Sequence, residues 1–252
     1  MANLTLEGFK NFFKYYNGDH HQQLAIEELY HDLPNFLKSE DADWVIQYRT
    51  PQTPTKDEEL PTEEWPITKA EMAEIMHCSE ASLPDSLMDD FARCAKLYGM
   101  DRTNIAYFLG QCGHESAGLR YPVEIADGSG YEGRRDLGNI YPGDGVKFAG
   151  TGWIQVTGRF NHQAFSDYLQ KQGQFDPKIM EVGKTYTSEV YPWSISGHWW
   201  WANNMNEYCS QKPPVDRVGQ RVNGRYLPNG YEDRRAYSQV AFKVLGIPYP
   251  GN

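Results

Sequence analysis

The sequence lacks any hydrophobic run that approaches the ~18 residues of a membrane span. Its start also lacks the basic residues, apolar run and small-residue cleavage site of a signal peptide. Hydrophobic residues nevertheless make up 40% of the chain and aromatic residues 14%, enough for a packed core. This composition excludes a disordered or low-complexity protein. We therefore expect a soluble globular protein that does not insert into a membrane.

Cysteine is scarce, with four residues in a chain of 252 and no CxxC pair. A chain of this length can build its core without disulfide bonds. We predict free, mostly buried thiols in a reducing cytoplasm at Cys78, Cys94, Cys112 and Cys209, with two disulfide bonds as the alternative.

Basic residues are few in the first third of the chain. The formal charge is -10, from 24 Lys and Arg against 34 Asp and Glu, which disfavours nucleic acid as a partner. Residues 1–85 contain 6 basic and 17 acidic side chains, whereas residues 86–252 contain 18 and 17. This asymmetry indicates two parts with different roles.

The motifs of metal, phosphate and serine chemistry are also missing. After His114-Glu115 the second His of a zinc protease is absent, because position 118 is Gly. The seven His show no ligand spacing, and Asp144 lacks the further acidic residues of a calcium loop. No GxSxG or GxxxxGKS motif occurs. We expect neither a metal nor another cofactor.

The chain divides near a stretch rich in Pro and acidic residues, at 50–66. Such a composition is typical of a linker. Before it, Phe9, Phe12, Phe13 and Tyr16 recur at helical spacing. We predict a small helical module over residues 1–62 and a larger domain over residues 63–252.

Helices and one glycine-rich segment follow in the larger domain. Apolar stripes predict helices within 85–100 and over 104–116, and helical patterns resume at 159–171 and 193–205. Nine Gly among residues 128–158 predict loops and short strands. In the run of Trp at 199–201, consecutive side chains cannot all face one side of a helix, so we expect part of it in the core.

Two carboxylates stand out as a potential acid and base. Glu115 continues the apolar stripe of its helix, where burial raises the pKa of a carboxyl towards that of a general acid. The alternative is a solvent-exposed Glu, or one paired with Arg120. Glu124 lies nine residues later, beyond Pro122, and could face Glu115 across a cleft, as inverting glycosidases require. Glu132 competes for the second role.

Together, several blocks of sequence resemble the family 19 glycoside hydrolases, and their pattern is closest to the phage and bacterial lysozyme-like branch. The likeness covers about residues 67–247. The blocks are FLGQCGHESAGLRY at 108–121, YEGRRDLGN at 131–139, GDGVKFAGTGWIQVTGRFNH at 143–162, WSISGHWWWANNMN at 193–206 and VNGRYLPNGYEDRRAY at 222–237. The resemblance implies a mainly α, two-lobed lysozyme-like catalytic domain.

The resemblance also implies roles for single residues. Glu115 matches the general acid and Glu124 the general base, while Thr157 matches a hydroxyl that holds the attacking water. The positions implied to contact sugar are His114, Gln155, Asn161 and Asn223. Two positions depart from the family pattern, since Thr151 replaces a common Arg and Phe160 a hydroxylated aromatic residue.

The predicted function is cleavage of β-1,4 bonds in peptidoglycan by a phage-type lysozyme or endolysin. A chitinase is the alternative within the same chemistry, and an inactive sugar-binding or virion structural protein is the alternative outside it. The missing signal peptide favours a phage enzyme held in the host cytoplasm, or one carried in the virion. For the acidic N-terminal module, we weigh packing on the catalytic domain against docking to a virion or lysis protein.

Overall fold

The computed structural model of the chain describes residues 65–227 and 229–252. These residues form helices joined by loops and no strand; only isolated bridges pair Val123 with Thr151 and Thr151 with Val156. The prediction of short strands in the glycine-rich segment is therefore wrong, because the pairing near it stops at isolated bridges and does not extend into ladders. The predicted module of residues 1–62 and its boundary lie outside the described residues.

Eleven α-helices follow one another along the described part of the chain. They are α1 (Lys69–Met76), α2 (Asp85–Leu97), α3 (Arg102–Glu115), α4 (Asp144–Lys147), α5 (Arg159–Lys171), α6 (Lys178–Val182), α7 (Lys184–Val190), α8 (Pro192–Ala202), α9 (Met205–Ser210), α10 (Val215–Asn223) and α11 (Tyr231–Val244). Short 3-10 turns lie at Glu80–Ser82, Ser129–Tyr131 and Arg135–Leu137. None of the helices described here combines the length and apolar character needed to cross a membrane.

The apolar stripes predicted from the sequence form the core. Phe91 and Cys94 of α2 and Phe108 and Cys112 of α3 are fully buried, and the Asp101 side chain caps α3 by accepting the N–H of Asn104 at 2.7 Å. All four cysteines are free thiols, as predicted, and three of them are buried.

The core of the described residues consists of two apolar clusters packed between helices, and the prediction of a mainly helical fold is confirmed. The larger cluster joins α1, α2, α3, α8 and α11, and includes Trp153, Trp193 and Trp200. The smaller one is formed by Val156, Phe165, Leu169, Ile179 and Ile195. In the Trp run, Trp200 is fully buried and Trp201 is 43% exposed, so the three rings do divide between core and surface.

Helices α3 and α11 approach each other closely because α3 presents glycines to its neighbour. A Cβ at Gly110 would lie 2.3 Å from Oγ of Ser238, and a Cβ at Gly113 would lie 2.4 Å from the ring of Tyr237. Any larger side chain would force the helices apart. This close contact places the start of α11 against the end of α3.

A buried carboxylate joins α2 to the start of α8. Asp90 is 1% exposed; its Oδ2 accepts the backbone N–H groups of Trp193 at 2.8 Å and Ser194 at 3.2 Å, and its Oδ1 accepts the Ser194 hydroxyl at 2.5 Å. Burial raises the pKa of Asp90 from 3.8 to about 6, although Ser194 and Arg93 oppose the shift. The native state therefore binds a proton more readily than the unfolded chain.

This shift predicts how stability depends on pH. Because the folded pKa of Asp90 is raised, its stabilising contribution is fully present below about pH 4 and is lost as the pH rises through about 6. Relative to Asp90→Asn, which cannot titrate, the free energy of unfolding of the wild type should fall by about 2 kcal/mol between pH 4 and pH 7. Urea unfolding of both proteins at the two pH values measures this difference. A difference that rises with pH would mean that the hydrogen bonds outweigh burial.

Candidate active site

Glu115 is the last residue of α3, as predicted, and its side chain is 20% exposed. Its carboxylate Oε1 accepts a hydrogen bond from Nη2 of Arg234, near the start of α11. Arg120, the partner considered from the sequence, is exposed. The pairing with Arg234 could not be read from local spacing, because the two residues lie 119 positions apart.

Arg234 is buried, with 2% exposure, and all three of its guanidinium nitrogens make contacts. Besides the contact with Glu115, Nη1 donates to Oε1 of Gln111 at 2.8 Å and Nε donates to the carbonyl oxygen of Asn229 at 3.0 Å. The planar guanidinium fixes the direction of each donor, so Arg234 holds the Glu115 carboxylate in one orientation. Arg234 lies within the block at 222–237 that resembles the family, but the resemblance implied no role for this residue.

Glu124 lies on the loop that follows α3 and is half-buried. Its Oε1 accepts the hydroxyl of Tyr131 at 2.9 Å, and its Oε2 accepts the backbone N–H of Gly150 at 3.0 Å. Burial and the contact with Glu124 raise the pKa of Tyr131, which keeps the phenol a donor. Since each carboxylate oxygen has two lone pairs, Glu124 can still accept a hydrogen bond from a water.

Glu132, the competing residue for the second role, makes structural contacts. Its two carboxylate oxygens accept the backbone N–H groups of Gly143 at 2.7 Å and Gly145 at 2.8 Å, at the start of α4. A carboxylate in this position stabilises the orphan donors of a helix N-terminus. The geometry therefore favours Glu124 over Glu132 as the second functional carboxylate.

The loop containing Glu124 is hydrogen-bonded to the segment that contains Gln155. Gln155 has a left-handed backbone, with φ of 57°, and its Nε2 donates to the carbonyl oxygens of Tyr121 at 3.1 Å and Gly152 at 3.3 Å. A Cβ at Gly150 would lie 2.7 Å from Oε1 of Gln155 and 3.1 Å from Oε2 of Glu124. The structure thus brings Gln155 and Glu124 together at Gly150.

Thr157 and Asn161 extend this group of residues. The Thr157 hydroxyl donates to the carbonyl oxygen of Gln155 at 3.0 Å, and Nδ2 of Asn161 donates to the carbonyl oxygen of Thr157 at 2.7 Å. Both side chains are half-buried. We call Glu124, Gln155, Thr157 and Asn161 the base-side cluster.

His114 and Asn223 lie instead with Glu115. Nδ1 of His114 is 2.7 Å from Oδ2 of Asp233, the residue before Arg234. Oδ1 of Asn223 accepts the backbone N–H of Asn229 at 3.2 Å. The seven predicted residues therefore divide between this acid-side group and the base-side cluster.

The two departures from the family pattern have different environments. Thr151 is fully buried, and its hydroxyl lies 3.1 Å from both the carbonyl oxygen of Lys184 and the hydroxyl of Thr187. It therefore has a structural role. Phe160 is 60% exposed and packs beside Gly138, so its ring is accessible to a ligand.

Metal ligands do not cluster in the part of the chain that the structure describes, where no group of three His, Cys, Asp or Glu could hold an ion. His162 and His198 are buried, and burial lowers the pKa of each to about 4. Both are therefore neutral near pH 7 and belong to the core.

This arrangement of helices is found in solved chitinases. Chitinase C from Streptomyces griseus HUT6037 superposes with a TM-score of 0.55 at 15% identity, covering 75% of this chain and 98% of that one. A family 19, class IV chitinase from Zea mays superposes with a TM-score of 0.54 at 18% identity, covering 76% and 98%. The chain has the family 19 glycoside hydrolase fold.

A relative of known sequence agrees with this assignment. A glycosyl hydrolase family 19 domain-containing protein of Haemophilus influenzae is 25% identical over 174 residues, which cover 57% of this chain and 80% of that protein. No protein-family model matches the chain. The predicted resemblance to the family 19 glycoside hydrolases is thus confirmed, whereas the phage and bacterial lysozyme-like branch stays a prediction.

Proposed function

We propose that this family 19 protein hydrolyses the β-1,4 bonds of peptidoglycan. The observation that carries the proposal is Glu115, a largely buried carboxyl at a helix end that Arg234 holds in one orientation. Glu124 supplies a second carboxylate on a separate loop, beside side chains able to bind water and sugar. A protein that only binds sugar needs no such pair.

In this mechanism Glu115 is the acid and Glu124 the base. Arg234 occupies Oε1 of Glu115, so a proton on Oε2 is delivered to the glycosidic oxygen as its bond to the anomeric carbon breaks. Glu124 takes a proton from the water that attacks the same carbon from the opposite face. The configuration at the anomeric carbon is thereby inverted.

Mass analysis of muropeptides after digestion of purified peptidoglycan tests this proposal. Hydrolysis adds one water for each bond cut, whereas a lytic transglycosylase gives products lighter by that water. NMR of the first product should show the inverted anomer. Intact peptidoglycan after prolonged digestion would contradict the proposal.

A chitinase is the second candidate, because the similar solved structures are chitinases. Chitin and peptidoglycan both contain N-acetylglucosamine, and an acid–base pair of carboxylates serves either polymer. Parallel digestion of peptidoglycan and chitin oligosaccharides distinguishes the two. Greater kcat/KM on the chitin oligosaccharides would favour the chitinase.

Thr157 provides a milder test of the base-side cluster. Thr157→Val removes the hydroxyl but keeps the shape of the side chain, so we expect kcat on peptidoglycan to fall by roughly fivefold, because one neutral hydrogen bond is worth about 1 kcal/mol. Thr185→Val, on α7, is a matched control that should retain wild-type kcat. Full activity of Thr157→Val would remove the hydroxyl from the mechanism.

The acidic N-terminal region is proposed to dock onto a virion or lysis protein, and the protein to act from the host cytoplasm or the virion. Its excess of acidic residues would repel an anionic cell wall. A variant starting at residue 63 should stay folded and fully active on purified peptidoglycan. Aggregation, or loss of a cooperative thermal transition, would show instead that residues 1–62 complete the fold.

A further inference from the structure

The connection between α10 and α11 links Asn223 to the Glu115 carboxylate through a continuous series of contacts. We call residues 224–227, 229 and 230 the connecting loop. Oδ1 of Asn223 accepts the N–H of Asn229, and the carbonyl oxygen of Asn229 accepts Nε of Arg234, whose Nη2 donates to Glu115. Both backbone groups of Asn229 are therefore engaged between Asn223 and Arg234.

The connecting loop is fixed at other points as well. Nε2 of Gln220, on α10, donates to the carbonyl oxygen of Tyr226 at 2.8 Å. Gly230 lies against the imidazole of His114, since a Cβ on this glycine would come within 2.0 Å of Cε1. Its φ of +64° also favours glycine. The loop thus packs against His114, near the end of α3.

Arg234 depends on this loop for one of its three contacts. Its guanidinium is buried and has its other contacts with Gln111 and Glu115. If the carbonyl oxygen of Asn229 moved, Nε would be left as a buried donor without its partner, at a cost that favours reorientation of the whole planar group. The orientation of Glu115 would then change with it.

We infer that Asn223 is a positioning residue, which acts through Asn229 and Arg234 on Glu115, rather than a residue that contacts sugar. The inference rests on the proposed function, because it concerns how that function's general acid is held. Positioning uses Oδ1 as an acceptor, whereas a sugar contact would use Nδ2, which can donate to a sugar hydroxyl. The two roles therefore make different demands on the side chain.

Two substitutions of Asn223 distinguish the loss of its acceptor, Oδ1, from the loss of its donor, Nδ2. Asn223→Ala removes both, and we expect kcat on peptidoglycan to fall roughly five- to tenfold with KM within twofold of wild type, because one hydrogen bond is lost. Asn223→Asp keeps the acceptor and should recover most of that kcat. Asn203→Ala is a matched control, since its exposed amide only bonds the carbonyl oxygen of Trp199 within its own helix end.

A double-mutant cycle with Arg234→Lys tests whether Asn223 affects kcat through Arg234. Lys retains a positive charge near Glu115 but lacks the rigid planar guanidinium whose Nε donates to Asn229. Adding Asn223→Ala to Arg234→Lys should therefore change kcat by less than twofold. Thermal melting of every variant accompanies the kinetics, and the comparison of Asn223→Ala with Asn223→Asp stands without Arg234→Lys if that variant does not fold.

Different results would contradict the positioning role of Asn223 and the proposed function. A rise in KM in both Asn223 variants, or an equal loss from Asn223→Ala in the wild-type and Arg234→Lys backgrounds, would overturn the positioning role and favour a direct sugar contact. A folded wild-type protein without activity on peptidoglycan or chitin oligosaccharides would instead overturn the proposed function itself.

Discussion

Glu115→Gln should abolish turnover of peptidoglycan while leaving the fold intact. The amide has the shape of the carboxyl, and its carbonyl oxygen can still accept Nη2 of Arg234. It cannot give a proton to the leaving oxygen, so each bond cleavage would require an alkoxide to depart. General acid help is worth ~10²–10⁴-fold by itself, and we expect at least this loss in kcat.

The control for this variant must separate lost chemistry from lost structure. Glu115→Gln replaces a carboxyl that can ionise beside the buried Arg234 with an amide that cannot, which can lower stability, so the melting temperature is measured beside the initial rate. Glu132→Gln is a suitable matched variant, because Glu132 is bonded only to backbone N–H groups at the start of α4. A folded Glu115→Gln protein with more than a few per cent of wild-type kcat would exclude Glu115 as the acid.

The local part of the site could be predicted from the sequence. The stripe of Ile105, Phe108 and Cys112 determines which face of α3 is buried, and the same period places Glu115 at the end of that face. The capping of α3 by Asp101 also follows from local chemistry. These features depend on residues within one or two helical turns.

The long-range part could not be predicted in the same way. The pairing of Glu115 with Arg234 depends on how closely α11 packs against Gly110, which no spacing within α3 reveals. Glu132 looked equivalent to Glu124 as an isolated loop carboxylate. The structure distinguishes the two, because the Glu132 carboxylate accepts the backbone N–H groups of Gly143 and Gly145.

The glycine-rich segment shows a similar limit for the fold. Its composition correctly predicted loops and the absence of ordinary helix over most of its length, but the expected strands are isolated bridges. Glycine tolerates left-handed backbone and so permits turns that interrupt a ladder after one pair. Instead of regular pairing, this segment allows other residues to pack closely against its backbone at Gly150 and Gly152, where a Cβ would clash.

Glu124→Gln is expected to lose two to four orders of magnitude in kcat, because a general base contributes ~10²–10⁴-fold. The substitution suits the site: the Gln carbonyl oxygen can accept the N–H of Gly150, and its amide can donate to the hydroxyl oxygen of Tyr131. Folding should therefore be preserved, and KM should change little because the attacking water, not the sugar, has lost its base.

The same variant distinguishes between mechanisms if its products are analysed. Azide is a nucleophile that needs no base, so its addition to folded Glu124→Gln should restore turnover and give a glycosyl azide of inverted configuration at the anomeric carbon. Glu115→Gln should not respond, since its missing group is the acid. Full activity of Glu124→Gln without azide would transfer the base role to Glu132, or, if the products are lighter by one water, show that the bond is broken by transglycosylation with Glu115 alone.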